Sequence, residues 1–117
     1  MKKSNRVVDN KDFSKIIKTG HLEKSNTYKV YSLANTLGYV RVGIAASTKL
    51  GNAVVRSTIR RKIRAICDLL INYQAYSLDI IITPKNLFLE NDFSVNRDNL
   101  KELFIRTGIK EWKEKQK

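Results

Sequence analysis

Five cations fall within one short stretch: Arg56, Arg60, Arg61, Lys62 and Arg64. Arg56, Arg60 and Arg64 step by four, while Val55, Ile59, Ile63, Ile66 and Leu70 step by three or four. One helix therefore carries an apolar stripe and, beside it, a basic face. Gly51-Asn52 precedes it as a turn and a good N-cap. The first turns hold Arg56 and Arg60 but no acid, although the positive end of the macrodipole favours Asp or Glu there. Free N–H groups together with several arginines suit a phosphate. That chemistry is recognition of a polyanion. A solvated amphipathic helix would show the same pattern, so the rest of the chain must discriminate.

Groups able to make or break bonds are scarce. His21 is the single histidine and Cys67 the single cysteine, so neither a His cluster nor a paired-cysteine zinc site can form. The acids are dispersed over the two ends of the chain, with no pair suited to metal-assisted phosphoryl chemistry. Asp79, in a predicted core strand, reads as a cap or an ion-pair partner. Gly51-Asn52 lacks the Gly-Lys-Ser/Thr ending of a phosphate-binding loop. The protein by itself is thus expected not to be a catalyst.

The 117 residues suffice for one domain, expected to span 1–117. An apolar fraction of 42% with one Pro and five Gly predicts a globular chain. The net charge is +12, and residues 24–67 contain nine Lys or Arg and no Asp or Glu. Such segregation marks a polyanion binder. A membrane surface is not expected as partner, because no helix sets a broad apolar face with aromatic anchors beside the basic one. The apolar runs are too short to span a bilayer. Met1-Lys2-Lys3 is followed by polar residues, which predicts no signal peptide. Cys67, without a disulfide partner, fits a reducing cytoplasm.

The elements that must position the basic helix follow in order. Residues 1–8, with Lys2, Lys3 and Arg6, read as a mobile basic arm. Asp9 or Asn10 caps a short helix whose Phe13, Ile16 and Ile17 share a face, and Thr19-Gly20 stops it. Residues 27–34 and 39–47 predict two strands joined as a hairpin at Asn35-Thr36-Leu37-Gly38. Val40, Val42, Ile44 and Ala46 form one face of the second strand; Tyr39, Arg41, Gly43, Ala45 and Ser47 form the other. The central helix spans 52–72, and Leu78 to Thr83 is a buried strand closed by Pro84. Residues 86–91 read as a loop. Ser94 or Asn96 starts a last helix with Leu100, Leu103 and Phe104 inward; Gly108 ends or kinks it, Ile109 and Trp112 pack back, and 109–117 form a tail. The expected architecture is α+β: a single αββαβα sandwich, a mixed sheet with a basic central helix.

Residues 41–56 (RVGIAASTKLGNAVVR), followed by Ile59-Arg60-Arg61-Lys62-Ile63-Arg64, resemble the bacterial ribonuclease P protein subunit. That family reads RVG, then K-x-G-x-A-V-x-R-N-R-x-K-R and a further Arg. Lys3-Ser4-Asn5-Arg6, Asp12-Phe13, Tyr28 to Tyr31 and Asp79-Ile80-Ile81-Ile82 extend the likeness to about residue 108. The family's Arg-Asn-Arg appears here as Arg56-Ser57-Thr58, and its second aromatic, one turn after Phe13, is Ile17.

The resemblance implies a left-handed βαβ crossover and a role as protein subunit of an RNA enzyme that removes the 5′ leader from precursor tRNA. It implies two partners, the catalytic RNA subunit and precursor tRNA, and no obligate protein partner. Lys49, Asn52, Arg56, Arg60, Arg61, Lys62 and Arg64 would contact the catalytic RNA. Phe13, Ile17, Lys29, Tyr31, Arg41, Ala45 and Ser47 would line the cleft for the single-stranded leader. No residue of the protein would be catalytic. The protein alone would bind no cofactor, with magnesium required by the RNA-containing holoenzyme. The alternative is a ribosome- or translation-associated RNA binder without a role in cleavage. A helix-turn-helix DNA binder fits less well, because the basic helix follows a strand pair rather than another helix.

Overall fold

The computed structural model describes residues 1–109. Its elements are α1 (Asn10–Thr19), β1 (His21–Lys24), β2 (Tyr28–Ala34), β3 (Arg41–Ile44), α2 (Ala53–Leu70), β4 (Leu78–Pro84), α3 (Leu87–Glu90) and α4 (Phe93–Arg106). The α+β class with a mixed sheet is as expected, but two elements are additional. β1 is a four-residue edge strand, and one helical turn, α3, replaces the loop expected at 86–91. The expected contacts of Trp112 and the tail lie outside the described residues, apart from Ile109, which is buried in the core.

The sheet order is β1-β2-β4-β3, so the expected hairpin does not form. β4 lies between β2 and β3, antiparallel to the first and parallel to the second. Ile80, Ile81 and Ile82 are fully buried, and a strand apolar on both faces belongs at the centre of a covered sheet. The connection after β2 passes the end of β4 and bonds to the segment before it. Asn35 N donates to Ser77 O at 3.1 Å, and Val40 N donates to Tyr73 O at 2.8 Å. The second strand is accordingly shorter than 39–47.

Two layers cover the sheet. Tyr28, Val30, Val42, Ile80 and Ile82 meet the Ile59-Ile63-Ile66-Leu70 stripe of α2 and Leu100, Leu103 and Phe104 of α4 in the main core. The opposite face is packed by Val7 and by α1 through Phe13 and Ile16, over Ile81, Tyr31, Leu33 and Ala45. Ile17, expected inward with Phe13 and Ile16, is 39% exposed.

The N-terminal residues are docked rather than a mobile arm. Asn5 is buried and its Nδ2 donates to Val40 O at 2.8 Å; Val7 is buried and its N–H donates to Val42 O at 3.0 Å. An apolar residue at position 7 and one satisfied amide outweigh the surrounding charge. The last helix begins earlier than expected, because the Asp92 side chain accepts from Val95 N at 3.0 Å and caps it.

Candidate nucleic-acid interface

α2 starts where Gly51 adopts φ +148°, a conformation that favours glycine, and where the Asn52 Oδ1 accepts from Val55 N at 3.0 Å. Arg56, Arg60 and Arg64 lie half-buried on the flank between the core stripe and solvent, while Arg61 and Lys62 are exposed. None of these five forms an ion pair with another described residue. The Nε of Arg56 is buried without a hydrogen-bond partner, and so is that of Arg6. Burial holds the Arg64 guanidinium below its ordinary pKa, and the charges of Arg6 and Arg60 lower it further. Arg64 therefore lies close enough to Arg6 and to Arg60 to be repelled by both, and none of the three has an ion pair with a described residue. Arg6 and Arg64, together with Phe13, Val42 and Gly43, line a cavity of about 130 Å³.

Arg6, expected on a basic arm, takes its place beside Arg64 because residues 5–7 dock. The short bridge of Arg6 to Val42, parallel to β3, could not be read from periodicity. Lys49 and Asn52 are exposed at the turn leading into α2, next to the arginine flank in sequence. The N-terminal segment and α2 thus bring Arg6 and Arg64 onto one basic surface.

The second surface is the sheet face beneath α1. Strand alternation puts Arg41 and Gly43 of β3, Asp79, Ile81 and Thr83 of β4, and Leu33, Tyr31 and Lys29 of β2 on this side, and Ala45, just past the end of β3, packs there too. A Cβ on Gly43 would lie 2.6 Å from Phe13 Cζ and 2.7 Å from Ile81 Cδ1, so glycine is what admits the phenyl ring. Phe13 thus forms a wall rooted in the sheet. Ile17, one turn on, is exposed; Tyr31 is half-buried in the same cluster as Phe13, and Lys29 is exposed next along this face of β2. Ala45 packs under the wall; Ser47 is exposed, and its Oγ accepts from Lys49 N at 3.1 Å.

Arg41, expected as a cleft cation, is engaged by carboxylates of the fold. Its Nε and Nη2 donate to the two Asp79 oxygens at 2.9 and 2.7 Å, and Nη1 lies 3.4 Å from Asp12 Oδ2. The hydrogen bonds to Asp79 are the chief reason its pKa is raised. Register places Arg41 directly opposite Asp79, and a buried carboxylate requires a cation. The guanidinium ties α1 to the sheet. Asp79 is thus an ion-pair partner, as expected. Asn35 Nδ2 also donates to it at 2.8 Å.

Sequence reasoning missed Leu22, Lys24 and Thr83 on this same face. β1 pairs Leu22 with Tyr31 and Lys24 with Lys29, and Thr83 lies opposite Lys29 on β4. The brief alternation of His21-Leu22-Glu23-Lys24 was the only local signal. Cys67 is fully buried, which pushes its thiol pKa up and leaves it inert. Among the described residues no group of three or more His, Cys, Asp or Glu could hold a metal ion, and no helix is long and apolar enough to cross a membrane.

The chain has close relatives. A family model described as Ribonuclease P matches residues 1–108. The chain is 35% identical to the ribonuclease P protein component of Mesoplasma florum over 107 residues, covering 91% of this chain and 97% of that protein. It is 38% identical to that of Streptococcus agalactiae over 110 residues, covering 93% and 99%. Among solved structures, a Staphylococcus aureus RNase P protein mutant with defective mRNA degradation activity superposes with a TM-score of 0.82 at 28% identity, over 92% of each chain. The Thermotoga maritima RNase P protein gives 0.76 at 26% identity, over 91% of this chain and 98% of that one. A match over nearly the whole chain, in sequence and in fold, places it in the ribonuclease P protein family.

Proposed function

We propose that this chain is the protein component of ribonuclease P and serves in maturation of the tRNA 5′ end. The observation that carries this reading is the pairing of two surfaces on one small scaffold. One is a helix flank of arginines without counter-ions; the other is a sheet face left partly open beside an aromatic wall. The first suits the phosphates of a folded RNA. The second suits an unstructured strand, because stacking on Phe13 and Tyr31 with backbone charge from Lys29 needs no base code.

In this reading Arg56, Arg60, Arg61, Lys62 and Arg64, with Lys49 and Asn52 at the helix start, hold the catalytic RNA. Arg6 joins them beside Arg64. Phe13, Ile17, Tyr31 and Lys29 receive the 5′ leader, with Ala45 and Ser47 at the far side and Arg41 acting indirectly by fixing α1. Cleavage is carried out by the RNA subunit with its magnesium ions; the protein orients the leader. The RNase P identity of the relatives favours this over a ribosome-associated binder.

Reconstitution tests it. RNA-free protein incubated with precursor tRNA and magnesium should leave the substrate intact. Adding the RNA subunit should give the mature 5′ end at lower magnesium than the RNA needs alone. Correct cleavage by RNA-free protein would overturn the division of labour.

A further inference from the structure

The edge strand β1 carries two residues, Leu22 and Lys24, on the side of the sheet where α1 and the open face lie. Register sets Leu22 directly opposite Tyr31 and Lys24 directly opposite Lys29. α1 packs over β2 and β4, with Phe13 seated on Gly43 and Ile81, so the β1 half of this face stays uncovered: Leu22 is 40% exposed, and both lysines are exposed. Glu23, the only acid of the strand, points to the opposite face and meets His21 there.

Two like charges facing each other across an antiparallel pair destabilise a sheet. Neither lysine has an ion pair with a described residue. A single lysine on an edge strand discourages pairing with another chain, but that purpose does not require a second one opposite it. An anion between the two would turn the repulsion into attraction. One row along, about 6.8 Å away at two residues of strand rise, Leu22 and Tyr31 offer an apolar and aromatic surface. Apolar row and cationic row alternate at a spacing that a single strand of RNA can follow.

We propose that the leader path continues across β1, where Lys24 and Lys29 hold one leader phosphate between them and Leu22 lies beside Tyr31 under the adjoining nucleotide. This rests on the reading of the open face as the leader site. It adds a contact that only leaders long enough to cross from Phe13 to the sheet edge can make.

The test uses holoenzyme reconstituted from the full chain and its RNA subunit, with precursor tRNAs of graded leader length. Lys24→Glu replaces the facing lysines by an opposite-charge pair, so its melting temperature should equal or exceed that of the unaltered protein. Its affinity for precursor should fall, and the loss should grow with leader length. At the longest leader, Lys24→Gln should flatten the slope of log affinity against log salt by about 0.7, the value for one single-strand phosphate contact. If both variants match the unaltered protein at every leader length while Tyr31→Ala weakens binding of leader-bearing precursor, β1 takes no part and the cleft reading stands. If Tyr31→Ala also binds precursor and mature tRNA as before, the cleft reading fails and takes this inference with it. Should Lys24→Glu not fold, Lys24→Gln decides.

Discussion

Arg41 and Arg60 are chemically identical, and their surroundings give them opposite roles. Arg41 meets two carboxylates, so its charge is spent inside the protein. Arg60 and Arg64 have no ion pair with a described residue, and Arg64 is partly desolvated and repelled by Arg6 and Arg60. A phosphate placed there gains attraction from several arginines at once and releases counter-ions from the RNA. Arg60→Ala and Arg64→Ala should each reduce the slope of log affinity against log salt by about 0.9 if the contact is to duplex RNA. The loss in affinity should therefore be larger at low salt than at high salt. Titrating the holoenzyme assembly across a salt series measures both. A double variant with unchanged affinity and slope would make the arginine flank a solvated surface.

At the scale of elements, α2 has to satisfy two requirements through two faces. Ile59 is 1% exposed within the main core. Ile59→Ala should cost about 2–5 kcal/mol in unfolding free energy, measured by urea denaturation. Arg60→Ala should leave stability level or slightly raised, since it removes a repelling charge. That opposition separates the two faces of one helix. α1 depends on a different tie. Asp79 is buried and bound to Arg41, which also reaches Asp12 on α1. Asp79→Asn leaves the Arg41 cation without its main partner and should cost about 3 kcal/mol. Because the lost tie orients α1, leader-bearing precursor should also lose more affinity than mature tRNA. Equal losses for the two substrates would confine Asp79 to stability.

For the whole molecule, the asymmetry of the two sheet faces matters. α2 and α4 seal one face, whereas α1 covers only part of the other. Charge is segregated too, with residues 24–67 free of acids in a chain of net charge +12. Self-repulsion of that kind weakens a compact state and is screened by ions. Added salt should therefore raise the melting temperature of the RNA-free protein while it lowers affinity for RNA. Calorimetry and binding over one salt series would show the opposite signs; a melting temperature that falls with salt would mean that the cations are compensated within the fold.

The amphipathic period of α2, its Gly51-Asn52 start and the apolar strand around Ile80–Ile82 were legible in the chain. Each is local: a period, a cap or a composition is carried by neighbouring residues. The ordered motif from Arg41 to Arg64 was legible for the same reason. Tertiary structure alone decided which strands pair, since β4 enters between the two strands that flank the turn at 35–38. It turned Arg41 inward, because Asp79 lies 38 residues away in sequence yet directly opposite in register. It docked Arg6 beside Arg64 and brought Lys24 against Lys29 on a strand too short to announce itself. Those outcomes depend on long-range packing, in which the burial of a few apolar residues, Val7 and Ile81 among them, outweighs what the local sequence prefers.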